Sequence, residues 1–166
     1  MNSSLFALNA LNFFMADVQG GLGPFLGVFL QAQQWSPAEI GIVMTIGGIS
    51  GMAVTTPLGA LVDQTRAKRA IVVAAAIAIT LAAIITLARP DFLVVAGAQV
   101  VTGIAGAAVG PAIAAITLGL VRRPGFPHQL GHNQACNHSG NVVAAALAGA
   151  AGYFLAIISL ANHAEI

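Results

Sequence analysis

Residues Ala70–Ala88 read AIVVAAAIAITLAAIITLA, a run without one charged side chain. A bilayer core is about 30 Å thick and a helix rises about 1.5 Å per residue, so roughly 20 apolar residues cross it. Four more stretches meet that requirement. Leu5–Leu30 is interrupted only by Asp17, Ile40–Val62 is uncharged, Phe92–Val121 is long, and Asn133–Ala161 has a polar first third. The connections are Gln31–Glu39, Asp63–Arg69, Arg89–Asp91 and Arg122–His132, all too short for a soluble domain. Pro124, Gly125, Pro127 and Gly131 predict that much of the last connection is a loop. The spacing therefore predicts an all-α membrane protein of five transmembrane helices, with residues 1–166 forming a single domain.

Composition agrees. Of 166 residues, 58% are hydrophobic and 7% charged, against about 25% charged in a soluble domain. Disorder needs low hydrophobicity and high charge, so it is excluded as well. Six basic and five acidic residues leave a net charge of +1, too little for a nucleic-acid face. The single cysteine, Cys136, excludes a disulfide framework. Strand-type alternation is absent, which argues against an outer-membrane barrel. The first span lacks a basic leader and contains an acid, so it is not read as a cleaved signal peptide. Arg66, Lys68 and Arg69 follow the second span, and Arg122 and Arg123 follow the fourth; Arg89 stands alone on the other side. Five of six basic residues on one side predict a cytoplasmic N-terminus in the cell inner (cytoplasmic) membrane.

The loop after the second span reads Gly59-Ala-Leu-Val-Asp63-Gln-Thr-Arg66-Ala-Lys68-Arg69. It resembles the signature loop of the major facilitator superfamily, Gly-x-x-x-Asp-(Arg/Lys)-x-Gly-x-(Arg/Lys)-(Arg/Lys), with Gln64 and Arg66 as departures. Gln99-Val-Val-Thr102-Gly103-Ile-Ala-Gly106 is similar to the family's fourth-span pattern, with Gln99 where an arginine is common. Asp17-Val-Gln-Gly-Gly-Leu-Gly-Pro24 looks like a first span of the family. The resemblance covers essentially the whole chain, as most of one six-helix half of a major facilitator bundle. It implies a secondary active transporter that moves a small solute by alternating access, with a proton as candidate coupling ion. The loop residues Gly59, Asp63, Arg66, Lys68 and Arg69 would then form a conformational latch; the plainer reading is a positive-inside anchor. Gly59 is expected to let two helix backbones approach.

Polar groups inside apolar spans are the candidate substrate or proton site. An Asp at mid-membrane costs about 2.5–3.5 kcal/mol on insertion scales, so Asp17 stands first. It could bind a cation, carry a proton or pair with an amine, or be neutral and hydrogen-bonded to another helix. Asn12 and Gln19 are seven apart and share a helix face. Gln99 and Asn141 follow on the fourth and fifth spans. Gln134, His138 and Asn141 form one stripe, flanked by Asn133 and Asn137; His138 is read either as a proton relay or as a structural histidine. His128, His132 and Cys136 have metal-ligand spacing, but the Pro and Gly residues around them make the spacing accidental, and no metal site or cofactor is expected. The sequon at Asn137 is discounted on the cytoplasmic side. Gly47 with Gly51, and Gly106 with Gly110, predict packing seams.

No nucleotide loop or serine nucleophile motif appears, and Asp17 and Asp63 lie at different depths, so an enzyme is not expected. The expected partners are a small-molecule solute, the lipid bilayer and a second six-helix half, on the same chain if this one is shortened or on another subunit. No nucleic acid is expected. The alternative is a non-transporting membrane scaffold or assembly subunit, with every polar spot paired inside the bundle.

Overall fold

In the computed structural model residues 3–20 and 23–164 are described, and every regular element among them is an α-helix. They are α1 (Ser3–Gly20), α2 (Gly23–Ala32), α3 (Pro37–Gln64), α4 (Lys68–Ala88) and α5 (Phe92–Ala164). The stretch read as the first span thus carries two helices, with Gly21 and Leu22 outside the described residues. Three described helices are long and apolar enough to cross a membrane: α3, α4 and α5. At 28 residues, α3 is roughly 42 Å long.

The end of α2 and both ends of α3 have local causes. After α2, the Gln34 N–H donates to the Gln31 carbonyl and the Trp35 N–H to the Leu30 carbonyl, with Gln34 left-handed at φ 65°. This is a Schellman stop, accompanied by the packing of Trp35 against the cluster that contains Leu30. Ser36 then opens α3 through a capping box with Glu39, and Pro37 follows in the first turn, where it lacks only an N–H that would have no partner. At the other end of α3, the Lys68 ammonium donates to the carbonyls of Val62 and Thr65 at 3.2 and 3.1 Å. A cation on the last carbonyls also suits the helix dipole.

Element α5 turns sharply at Arg122, with φ 57° and ψ −179°, leaving two arms, 92–121 and 123–164. The expected loop over Arg122–His132 is corrected here: apart from that one residue, the segment is helical. Pro124 falls in the first turn of the second arm, where a missing N–H removes no bond, so it does not break the helix. Arg122 alone absorbs the change of direction, in a backbone region that costs about 1–3 kcal/mol for a residue other than glycine.

Two clusters hold the bundle. One joins Leu8 and Met15 of α1 with Val62, Val72, Ala75, Val109 and Ile113 of the other long helices. The second joins Leu26, Leu30, Val43 and Val95 beside Trp35. The glycine seams differ from expectation. A Cβ on Gly103 would collide with the Gly47 carbonyl, and one on Gly51 would lie 3.0 Å from the Gly103 carbonyl. Gly47 and Gly51 are therefore a seam, but their partner is Gly103. A Cβ on Gly106, Gly110 or Gly59 would meet nothing within 4 Å. The close approaches expected at those three positions are not made, because the helix phase turns them away from a neighbouring backbone.

The outward surface is apolar, with Met52, Leu93 and Leu147 at 79%, 82% and 67% exposure. Hydroxyls on the helices, such as Thr45, Thr55 and Thr80, donate to carbonyls one turn back. Both features fit hydrocarbon, where a polar group must find its partner within the protein.

Candidate functional site

The polar interior of the bundle sits where α1 meets both arms of α5. The Gln129 amide donates to Asn9 Oδ1 at 2.8 Å and to Asn133 Oδ1 at 3.1 Å. The Asn133 amide donates to Thr117 Oγ1 at 2.8 Å, and Thr117 donates to the Ile113 carbonyl. Thr117, Gln129 and Asn133 are buried. One chain of hydrogen bonds therefore ties α1 to the second arm of α5, and that arm to the first. Its spacing on the second arm is helical, with Gln129 and Asn133 one turn apart.

Beside this network lies a cavity of about 110 Å³, lined by Asn12, Asn133, Gln134 and Asn137 and walled by Gly110, Ile113, Ala114 and Leu130. The volume admits several water molecules. Its polar lining is made of amides, each of which both donates and accepts. Among the described residues, no carboxylate or ammonium lines it. Such a surface can hydrogen-bond hydroxyl, carbonyl or amide groups of an uncharged solute. Gly110, which has open space around it, leaves room for the cavity instead of sealing a helix contact.

The predicted site residues distribute unevenly. Asn12 is buried at this cavity, and its amide donates to the Leu8 carbonyl. The side chains of Asp17 and Gln19 lie outside the described residues. Gln99 lines a different cavity of about 160 Å³, with Thr86, Thr102 and Met44, and packs on Gly47. Gln99 and Gly110 are eleven residues apart on α5, or roughly 16 Å along its axis. The structure therefore does not bring Gln99 and Asn12 into one pocket. His138 and Asn141 are exposed on the second arm of α5, with Asn141 donating to Asn137 at 3.4 Å. The inward stripe on this arm is Gln129, Asn133, Asn137 and Gly140, one step around the helix from the expected Gln134, His138 and Asn141.

In the signature loop, Asp63, Arg66 and Arg69 are exposed and Lys68 is half-buried on the end of α3. His128 and His132 are exposed neighbours with ring centroids 4.8 Å apart. Among the described residues, no group of three His, Cys, Asp or Glu is arranged to hold a metal ion.

Sequence reasoning missed Asn9, Thr117 and Gln129. The available signal was the pair Gln129 and Asn133 at i and i+4, hidden by the loop assigned to that segment.

The chain is 48% identical over 149 residues to two uncharacterized MFS-type transporters of Mycobacterium tuberculosis, one from strain CDC 1551 and one from strain H37Rv. That alignment covers 89% of this chain and 36% of each relative, so the chain spans little more than a third of their length. No solved structure matches it. The model of the MFS_1 like family matches residues 5–158. A transmembrane, all-helical bundle, a signature loop between its second and third apolar segments and that match agree with one another: this chain belongs to the MFS_1 like family of major facilitator transporters.

Proposed function

We propose that the chain supplies one half of a secondary active transporter that carries a small, mildly polar solute across the cytoplasmic membrane by alternating access. The observation that carries this reading is the amide-lined cavity between α1 and the two arms of α5. Polar side chains at membrane depth are expensive, and they persist where they meet water or cargo. A second six-helix half, in the same polypeptide or in a partner subunit, would face this cavity, and rocking of one half against the other would expose it to each side in turn.

Asp17, five residues beyond Asn12, is the proposed proton or cation carrier, with Gln19 beside it and His138 second. Gln99, at its separate cavity, and Asn141, bonded to Asn137, are proposed as further solute contacts. Gly59, Asp63, Arg66, Lys68 and Arg69 form the latch of the closed state, on the cytoplasmic side together with the N-terminus. A scaffold without transport would need no polar path beyond the internally paired Asn9–Gln129–Asn133–Thr117 chain. Gln134 at the cavity and the exposed His138 and Asn141 favour the transporter.

The test is uptake of a panel of small neutral organic solutes by the full-length protein in vesicles, measured as pH varies. Asn137→Leu is expected to lower uptake about tenfold, the worth of one hydrogen bond of about 1.4 kcal/mol. Asp17→Asn is expected to flatten the pH dependence. Unchanged rates and pH profile in both variants would leave the scaffold.

A further inference from the structure

We propose that the groove between the start of α1, the start of α4 and the end of the first arm of α5 binds one anionic phospholipid. Two adjoining cavities form it. The outer one, about 560 Å³, has Arg66, Lys68 and Arg69 on one wall and Ala115, Ile116, Gly119 and Leu120 on the other. The inner one, about 460 Å³, continues past Ser3 and Ser4 along Leu8, Leu11 and Val72. Arg69, Ile116 and Leu120 border both, so the two adjoin along one groove.

The chemistry changes along its length as a phospholipid does. At the mouth are two exposed guanidiniums and an ammonium. Two of the three Lys68 donors are spent on Val62 and Thr65, which leaves the third. The hydroxyls of Ser3 and Ser4 follow at the inner cavity, on the same stretch as Arg69. Beyond Arg69 the walls are aliphatic, and Val73 and Leu120 are 58% and 39% exposed, so the groove opens sideways toward acyl chains. A soluble phosphate would use only the mouth, and a neutral lipid would leave its cations unmatched. The basic side of a membrane protein faces the leaflet that holds anionic lipid. A plain electrostatic anchor needs charge at the interface but no apolar channel beneath it. The inference rests on the membrane setting alone and stands independently of the transport reading.

The experiment reconstitutes the full chain in phosphatidylcholine vesicles carrying either spin-labelled phosphatidylglycerol or spin-labelled phosphatidylcholine, and reads the motionally restricted fraction of each. Phosphatidylglycerol is expected to be preferred severalfold. Arg69→Gln should lower that preference about fivefold, since a basic residue near the surface contributes about 1 kcal/mol. Leu120→Trp, which fills the channel without touching charge, should also lower it. Arg89→Gln at the opposite end should leave it unchanged, as should free glycerol phosphate as competitor. Equal restriction of the two lipids overturns the proposal. So does a preference that survives Arg69→Gln or falls equally with Arg89→Gln, which marks diffuse charge. Displacement by glycerol phosphate would mark a headgroup site without a chain. A photo-crosslinking residue in place of Leu120 that captures polypeptide instead of lipid would assign the groove to protein.

Discussion

Helices α3 and α1 meet α5 by contrasting means. Along α3 the closest contact is made of backbone, with Gly47 and Gly51 laid against Gly103 and the Gln99 side chain resting on Gly47. Along α1 one point of similar closeness exists, where Gly140 faces the Phe13 carbonyl and Ala16. Elsewhere that contact combines apolar packing of Leu8 and Met15 with Val109 and Ile113 and the amide bond of Gln129 to Asn9 beside a small cavity. Lipid offers no hydrophobic drive for helix association, so close van der Waals contact and hydrogen bonds are the two means left. The first gives a contact with no room to change. The second keeps polar groups that water or solute can compete for. The rigid side and the adaptable side of the bundle are thus set by residue size on one helix and amide content on another.

The largest effect should come from breaking the backbone contact. Gly103→Val places a branched side chain against the Gly47 carbonyl and the Gly51 N–H, neither of which can turn aside. Loss of about 3 kcal/mol is expected in thermal or detergent unfolding. A loss below a few tenths would mean that α3 and α5 do not rely on this approach.

An intermediate effect is expected on the amide side. Asn133→Leu removes the link between the arms of α5 and leaves Gln129 with a buried, underused amide, for a loss of about 1–2 kcal/mol. Adding Gln129→Leu should cost less than the sum of the two single changes, because the orphaned partner is removed as well. Strict additivity would show that the two residues do not act as one network.

The smallest effect sharpens the contrast from the other direction. Gly106→Ala adds a methyl in open space within a helix and should stabilise by about 0.5–1 kcal/mol in the same unfolding assay. Destabilisation would reveal a close neighbour at that face and make Gly106 a second seam.

Much of the fold was legible. Uninterrupted apolar runs mark α3 and α4, and the loop between Gly59 and Arg69 pointed to the family. Less legible was which glycine meets which. Gly103 and Gly106 differ by three residues, and only the azimuth of α3 decides between them. The polar network was harder still, since Asn9 and Gln129 lie 120 positions apart. Gln129 also stands between prolines and glycines that resemble a loop. Those residues signal a break, yet the break is concentrated in Arg122, a position with no sequence mark for a positive φ. Hydropathy reports that a segment is buried in lipid or protein, but not which neighbour lies on each side of it.

The clasp at the opposite end from Arg66, Lys68 and Arg69 has a practical consequence. Trp35 stacks on Phe92 with ring centroids 5.8 Å apart and donates its indole N–H to the Pro90 carbonyl at 3.1 Å. It is the one tryptophan in the sequence. Intrinsic emission excited at the red edge therefore comes from a single fluorophore bridging two turns. A shift or quench of that light reports whether the α2–α3 and α4–α5 connections stay together, with no dye attached.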